Sequence, residues 1–410
     1  MFEDLIQQFI IAFGYIGLAL KYFIYWAPFF LGYLLWKAWR KYMMKKFLSE
    51  IKWVLLEVRI PKDIRRSPKA MELVLNALHQ PGTGNWYERL MKGKVPDWFS
   101  LEIVSIEGSI HFYMRVAEGY KNYLEAQIYS QFPSAEVSEV ADYAKQIAYS
   151  DGSSEWQPTG MEFAVKGEDA LPIATYVDFG LDKEGVKEEE RIDPLTTVLE
   201  TLGTAKKGEQ FWIQICIQGS QTRFHKKGTW REKEDWKAQG KALIKEIQEG
   251  YKDKDSKVKG ISEQAMSAAD KEKIKAITRN ISKSGFDCGI RTFYWVRSGT
   301  KFDGSKAKAL GGIFSAFQHG SYNFIKVCKG TKFDYPWQDF KNMRVEAKKR
   351  RMFNAYKRRG FFYPPYKTKL FVLNTEELAT LFHFPGMVAE TPTFGRIESR
   401  KGEPPANLPI

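Results

Sequence analysis

The chain has 410 residues, enough for two to three domains, which excludes peptide-like and disulfide-stapled scaffolds. Hydrophobic residues make up 44%, aromatic residues 15% and charged residues 27%, which excludes a wholly disordered or collagen-like chain. The net charge of +14 is concentrated: residues 37–46 carry +5 and residues 341–359 carry +8, so a uniformly basic nucleic-acid coat is excluded as well.

In chain order, residues 9–36 read FIIAFGYIGLALKYFIYWAPFFLGYLLW, 28 residues in which Lys21 is the one charge. A helix of that length measures about 42 Å against a hydrocarbon core of about 30 Å. The run is expected to form a transmembrane helix from about residue 22 to residue 39, with Lys21 snorkelling and residues 5–20 in the headgroups or against a partner. Two shorter spans are the alternative. The acidic start argues against a cleavable signal peptide. Glu3 and Asp4 precede the run, while Lys37, Arg40, Lys41, Lys45 and Lys46 follow it. The positive-inside rule then makes the protein single-pass in the cytoplasmic (inner) membrane with its C-terminal part cytoplasmic, and those five cations meet anionic headgroups.

Residues 47–150 read as a first α+β module. IKWVLLEVRI is a strand, and Ser67-Pro68 opens a helix with Met71, Val74, Leu75 and Leu78 on one face. Alternation of Ile110, Phe112, Met114 and Val116, with Glu107-Gly108 as the turn, predicts a hairpin. A helix over about 120–132 and the strand AEVSEV complete a βαββαβ order, which is ferredoxin-like. Residues 151–335 are expected to repeat it. MEFAVK and LPIATYVDF read as strands, Asp193-Pro194 caps a helix, and QFWIQICIQ and FDCGIRTFYWVR alternate. KAKALGGIFSAFQHG is a helix and YNFIKVC the closing strand. A Lys-, Glu- and Ala-rich insertion at about 230–283 reads as two solvated helices joined by YKDKDSKVKG.

Residues 336–410 change character, with a basic helix over 341–359, a short helix LNTEELATLFHF capped by Asn374 or Thr375, and an extended tail. On the basic helix Val345, Met352 and Tyr356 share one side, with Arg344, Lys348 and Arg351 on another. Lys348, Lys349, Arg350, Arg351, Lys357, Arg358 and Arg359 are the candidate phosphate- or lipid-binding residues. Three readings of this run stay open: a solvated face, contact with anionic lipid or nucleic-acid phosphate, and docking onto an acidic partner. The aromatics Phe353, Tyr356, Phe361, Phe362 and Tyr363 favour more than solvation, because a ring beside a guanidinium can insert at an interface or stack on a base.

Enzyme chemistry has no motif to stand on. Gly299-TKFD-Gly304 and Gly203-TAKK-Gly208 have the glycine spacing of a phosphate-binding loop without its GK[ST] ending, and they read as ordinary loops. No HExxH, GxSxG or GxGxxG occurs. The five histidines are scattered, and Cys216, Cys288 and Cys328 read as free buried thiols of a reducing compartment. No cofactor, metal site or catalytic residue is expected.

LNTEELATLFHFPG at 373–386, RIDPLTTVLETLGTAKKGEQFWIQICIQ at 191–218 and KIKAITRNISKSGFDCGIRTFYWV at 273–296 resemble the region ahead of the motor in membrane-anchored, type IV secretion-like conjugative transfer proteins of the TraG and HerA ATPase class. IHFYMRVAEGYKNYLEAQIYSQFPSAEVSEV is similar to the first module of that family, and the resemblance covers roughly residues 50–410. It implies a membrane-anchored, non-catalytic scaffold or adaptor of a DNA-transfer apparatus. Its partners would be membrane lipids, a separate P-loop ATPase and further copies of itself in a platform or ring. The alternative is a membrane-tethered protein that binds DNA through residues 341–359. Walker A and Walker B motifs are missing, so ATP hydrolysis does not carry over.

Overall fold

The computed structural model describes residues 2–61, 66–82, 84–183, 193–222, 224–225, 233–251, 266–318, 320, 322–333 and 335–385. The predicted insertion loop past residue 251, His319 and the extended tail lie outside these. In chain order the elements begin with α1 (Phe2–Lys21), α2 (Phe23–Glu50), β1 (Trp53–Arg59), α3 (Lys69–Leu78), α4 (Trp86–Leu90), β2 (Trp98–Ile106), β3 (Ser109–Ala117), α5 (Lys121–Gln131) and β4 (Glu136–Val140). Then follow α6 (Tyr143–Gln146), β5 (Trp156–Val165), α7 (Pro194–Gly203), β6 (Glu209–Gly219), β7 (Phe224–His225), β8 (Lys233–Glu234), α8 (Trp236–Glu249), α9 (Ala268–Ser282) and β9 (Gly285–Arg297). The last are α10 (Gly304–Gly311), β10 (Ile325–Gly330), α11 (Met343–Lys357), β11 (Phe371–Asn374) and α12 (Thr375–Leu381). Two compact units form, one from Met1–Lys52 with Gly82–Pro96, the other from Trp53–Pro81 with Asp97–Ile410.

In the first unit the expected transmembrane helix is overturned. The apolar run is divided at Tyr22, whose N–H bonds to the Leu18 carbonyl at 3.1 Å while the Tyr25 N–H closes a tighter turn onto the Tyr22 carbonyl at 3.0 Å. Pro28 sits inside α2 and has no N–H for the carbonyl four residues back. The C-terminal part of α2 carries Lys37, Arg40, Lys41, Lys45 and Lys46, which leaves residues 23–36 as its apolar part, about 21 Å long at 1.5 Å per residue. No helix among the described residues is long and apolar enough to cross a membrane.

In the second unit the sheet order is β10-β5-β9-β6-β2-β3-β1-β4, with β11 added beside β9, nine strands in one antiparallel sheet. This corrects the expectation of two separate modules: β2 and β6 pair over nine positions, from Trp98–Gln218 to Ile106–Gln210, and join both halves edge to edge. The period-2 pattern gives the sheet two unlike faces. Phe211, Ile213, Ile215 and Ile217 of β6, with Phe99, Leu101 and Ile103 of β2, face the larger core beneath α3, α5, α7 and α10. Trp212, Phe293, Trp295 and Val104 face the smaller core, where α6 supplies Tyr143 and Ala144 and α11 supplies Phe353 and Tyr356.

LPIATYVDF is not a strand. It is irregular and buried because side chains of α12, not a neighbouring strand, take its backbone donors: Ile173 N–H bonds Glu377 at 2.9 Å and Tyr176 N–H bonds Thr380 at 2.9 Å. The insertion does hold two helices, α8 and α9. Cys216 and Cys288 are buried free thiols as expected, whereas Cys328 is exposed.

Candidate anion-binding cleft

Period-2 alternation sends every other residue of the central strands to the α11 face, and the pairing register lines them up. Glu162, Arg291, Gln214, Glu102, Tyr113 and Glu57 stand directly opposite one another across β5, β9, β6, β2, β3 and β1. A charged row under a helix must find partners, because an unpaired buried charge is far costlier than a paired one. At its centre the partner is Arg359. Just past α11 the chain takes a left-handed turn at this residue (φ 50°), which carries its side chain back under the helix to full burial. Its Nε and Nη2 donate to Glu102 at 2.8 and 3.0 Å and its Nη1 donates to Asp142 at 2.6 Å. Ser100, Tyr143 and Gln214 also donate to Glu102. Burial alone would raise the Glu102 carboxyl, but the Arg359 charge and these hydrogen bonds hold it down at about 2.

Towards the β5 end of the row lies a cleft of about 530 Å³, bounded by β10 and the segment after it, by α11, and by residues 366–368. Close approach of backbone makes it. A Cβ at Gly160 of β5 would lie 2.6 Å from the Met352 sulfur, and one at Gly289 of β9 would lie 2.3 Å from the Phe361 ring. With no side chain at Gly289, Phe361 lies against the sheet and the Arg291 guanidinium stacks on it, 4.0 Å from the ring centroid. Arg291 is fully buried and donates to Glu162 from Nη2 at 2.8 Å, while its Nη1 has no hydrogen-bond partner among the described residues.

Arg291, Lys329, Lys332, Lys348, Arg351 and Lys367 line this cleft against the single carboxylate Glu162, a surplus of five positive charges. Lys329 reaches Thr368 at 3.0 Å and Glu162 at 3.7 Å, and the Lys348 ammonium lies 3.6 Å from the centroid of the Phe333 ring. Arg351 and Lys367 make no side-chain hydrogen bond or ion pair among the described residues. Concave low-dielectric walls lined by one sign of charge concentrate counter-ions, so the arrangement suits an oxyanion.

The sequence-predicted cations separate into different roles. Lys348 and Arg351, three residues apart on α11, enter the cleft. Lys349 pairs with Glu346 at 2.9 Å, Arg350 is exposed away from the cleft lining, and Lys357 donates to the Ile147 carbonyl at 2.8 Å. Arg358 is exposed beside the Tyr366 ring, and Arg359 belongs to the buried Glu102 pair and reaches neither phosphate nor lipid. In the first unit Lys37, Arg40, Lys41, Lys45 and Lys46 are all exposed.

Sequence reasoning missed Arg291, Lys329, Lys332 and Lys367. Arg291 had a readable signal, since a lone cation inside the apolar strand GFDCGIRTFYWV must be buried with a partner. In the two glycine-spaced loops, Lys306 beside one is ion-paired to Glu209 and bonds the Thr204 carbonyl of the other at 2.9 Å. His79 bonds the Gly285 carbonyl, His111 bonds Glu57 and His383 bonds Asp193. No cluster able to hold a metal ion occurs among the described residues.

The family described as a domain of unknown function, DUF8128, matches residues 44–396. The chain belongs to the DUF8128 family. The DUF8128 match contains every cleft residue, from Glu162 to Thr368, while Lys37, Arg40 and Lys41 precede it. A comparison with curated proteins returns no match.

Proposed function

We propose that this DUF8128 chain is a non-catalytic scaffold held at an anionic lipid surface by its first unit. One observation carries the reading: along α1 and α2 large apolar side chains stand exposed on consecutive positions, Phe29 at 82% and Leu35 at 72% among them, and five exposed cations follow at once. Bare apolar surface on that scale demands a cover, and the cations beside it select anionic headgroups over a neutral apolar partner. The 21 Å apolar part of α2 enters the headgroup and upper acyl layers without crossing them. The setting suggested by the resemblance to conjugative transfer proteins is a DNA-transfer machine in which this scaffold receives a separate P-loop ATPase.

Vesicle flotation tests the lipid reading. The chain is expected to float with phosphatidylglycerol-containing vesicles, and a variant with Lys37, Arg40, Lys41, Lys45 and Lys46 changed to Gln to float much less. Equal flotation of that variant, or none by the unaltered chain, would contradict it.

A second reading, binding of phosphate groups in the cleft, is favoured by its six cations. It predicts binding of polyanions that weakens as salt rises.

A further inference from the structure

Beside the cleft the segment between β10 and α11 does something unusual for a soluble surface. Trp337 is 79% exposed and Phe340 76%, and Tyr335 stacks on Trp337 with ring centroids 4.8 Å apart and planes within 16°. These rings are held out by specific bonds. Lys341 and Asn342 both take left-handed backbone (φ 54° and 60°), which brings the Asp339 carboxylate onto the N–H groups of Arg344 and Val345, both at 2.7 Å, while Arg344 ties back to the Gln338 carbonyl at 2.8 Å. Two consecutive non-glycine residues in that region are costly, and such strain persists where the surrounding bonds enforce it and a function uses it. Gln338 and Phe333 of the same segment line the cleft, so the exposed rings and the cations belong to one surface.

We propose that this surface binds single-stranded nucleic acid, its phosphates in the cleft and its bases stacked on Tyr335, Trp337 and Phe340. The inference rests on the second reading above and adds the kind of polyanion. Three features select a single strand. Phosphates provide the acceptors that Lys348, Arg351 and Lys367 lack. Every unpaired base has a face to stack on a ring, whereas a duplex keeps its base faces turned inward. A lipid surface fits the rings but not the concave cations, which a flat array of headgroups does not enter.

The experiment uses the full chain and a fluorescently labelled 20-nucleotide oligo-dT, read by anisotropy over a salt series. Tight binding at low salt is expected, with competition by unlabelled oligo-dT and much weaker competition by a duplex of equal length or by phosphatidylglycerol vesicles. Changing Lys348, Arg351 and Lys367 together to Ala should weaken binding and lower the slope of log affinity against log salt by about 2, from three lost contacts at about 0.7 each. Trp337→Ala with Tyr335→Ala should weaken oligo-dT at least about fivefold and leave duplex binding unchanged. Since all five side chains are partly or fully exposed or line an open cleft, unchanged melting temperatures check that folding is intact; changing Lys241, Lys245 and Lys271 to Ala controls for charge alone and should leave affinity within about twofold. If the aromatic pair has no effect, or duplex competes equally, the single-strand proposal is overturned while the phosphate reading stands. If no polyanion binds in a salt-dependent way, both fall. Displacement by vesicles alone would overturn the proposal in favour of a lipid-facing patch.

Discussion

Arg359 illustrates what a run of basic residues conceals. Residues 341–359 hold nine cations in 19 residues, and the sequence has no local mark of which one turns inward. The decision is made by the left-handed turn after α11 and by Glu102 on β2, 257 positions away in the chain. Removing the cation should therefore act on folding and not on anion binding: Arg359→Met leaves the Glu102 carboxylate buried without its counter-charge and is expected to cost about 3–5 kcal/mol in urea denaturation. Glu102→Gln should be milder, because the remaining donors still find an acceptor. The same pair fixes an acid limit. A carboxyl held at about 2 in the fold and at 4.5 when unfolded stabilises the protein above pH 4.5, and that stability is lost as pH falls through about 2. Glu102→Gln should flatten stability between those values.

At the scale of elements, what could be read was local and what could not was distant. The capping box of α12 is written in four consecutive residues: Asn374 accepts from the Glu377 N–H at 2.7 Å and Glu377 accepts from the Asn374 N–H at 2.8 Å. The β2–β3 hairpin and its Glu107-Gly108 turn are equally local. The segment 171–179 was misread because its backbone partners, Glu377 and Thr380, arrive about 200 residues later. The N-terminal rod was misread in its reach, because the break at Tyr22 and the cations from Lys37 onward leave α2 an apolar part of only about 21 Å. The position of α12 has its own pH signature. Burial pushes the Glu377 carboxyl up to about 8 against its hydrogen bonds, so the native state holds a proton that the unfolded chain releases near 4.5. That contribution is complete below pH 4.5 and is lost as pH rises through about 8. His383 has the same sign, because Asp193 outweighs burial and raises its imidazole above the ordinary value. Stability measured by urea denaturation should decline from pH 5 to pH 9, and Glu377→Gln should make that decline shallower without abolishing it. Asn374→Ala, which removes the cap and a 2.7 Å bond to Asn280, should cost at least about 1 kcal/mol.

For the whole molecule, most of the element order was legible in both halves, LPIATYVDF excepted, since hydrophobic period and turn residues announce the strands and helices of the sheet and its main core. Joining them was not. The pairing of β2 with β6 creates the continuous sheet, and only that register sets Glu102, Gln214, Arg291 and Glu162 in one row. The candidate cleft inherits this limit: two of its cations, Lys348 and Arg351, were visible on a helix, and the other four come from strands and loops brought together by the sheet. The two proposals, lipid at one unit and single-stranded nucleic acid at the other, make a joint prediction. Flotation of phosphatidylglycerol vesicles with full-length protein and labelled oligo-dT is the most direct test. The account predicts that oligo-dT rises with the vesicles only when the protein is present, and stays at the bottom when Lys348, Arg351 and Lys367 are Ala although the protein itself still floats. Protein that floats without ever carrying the oligonucleotide, or that carries it equally well with those three residues changed, would contradict it.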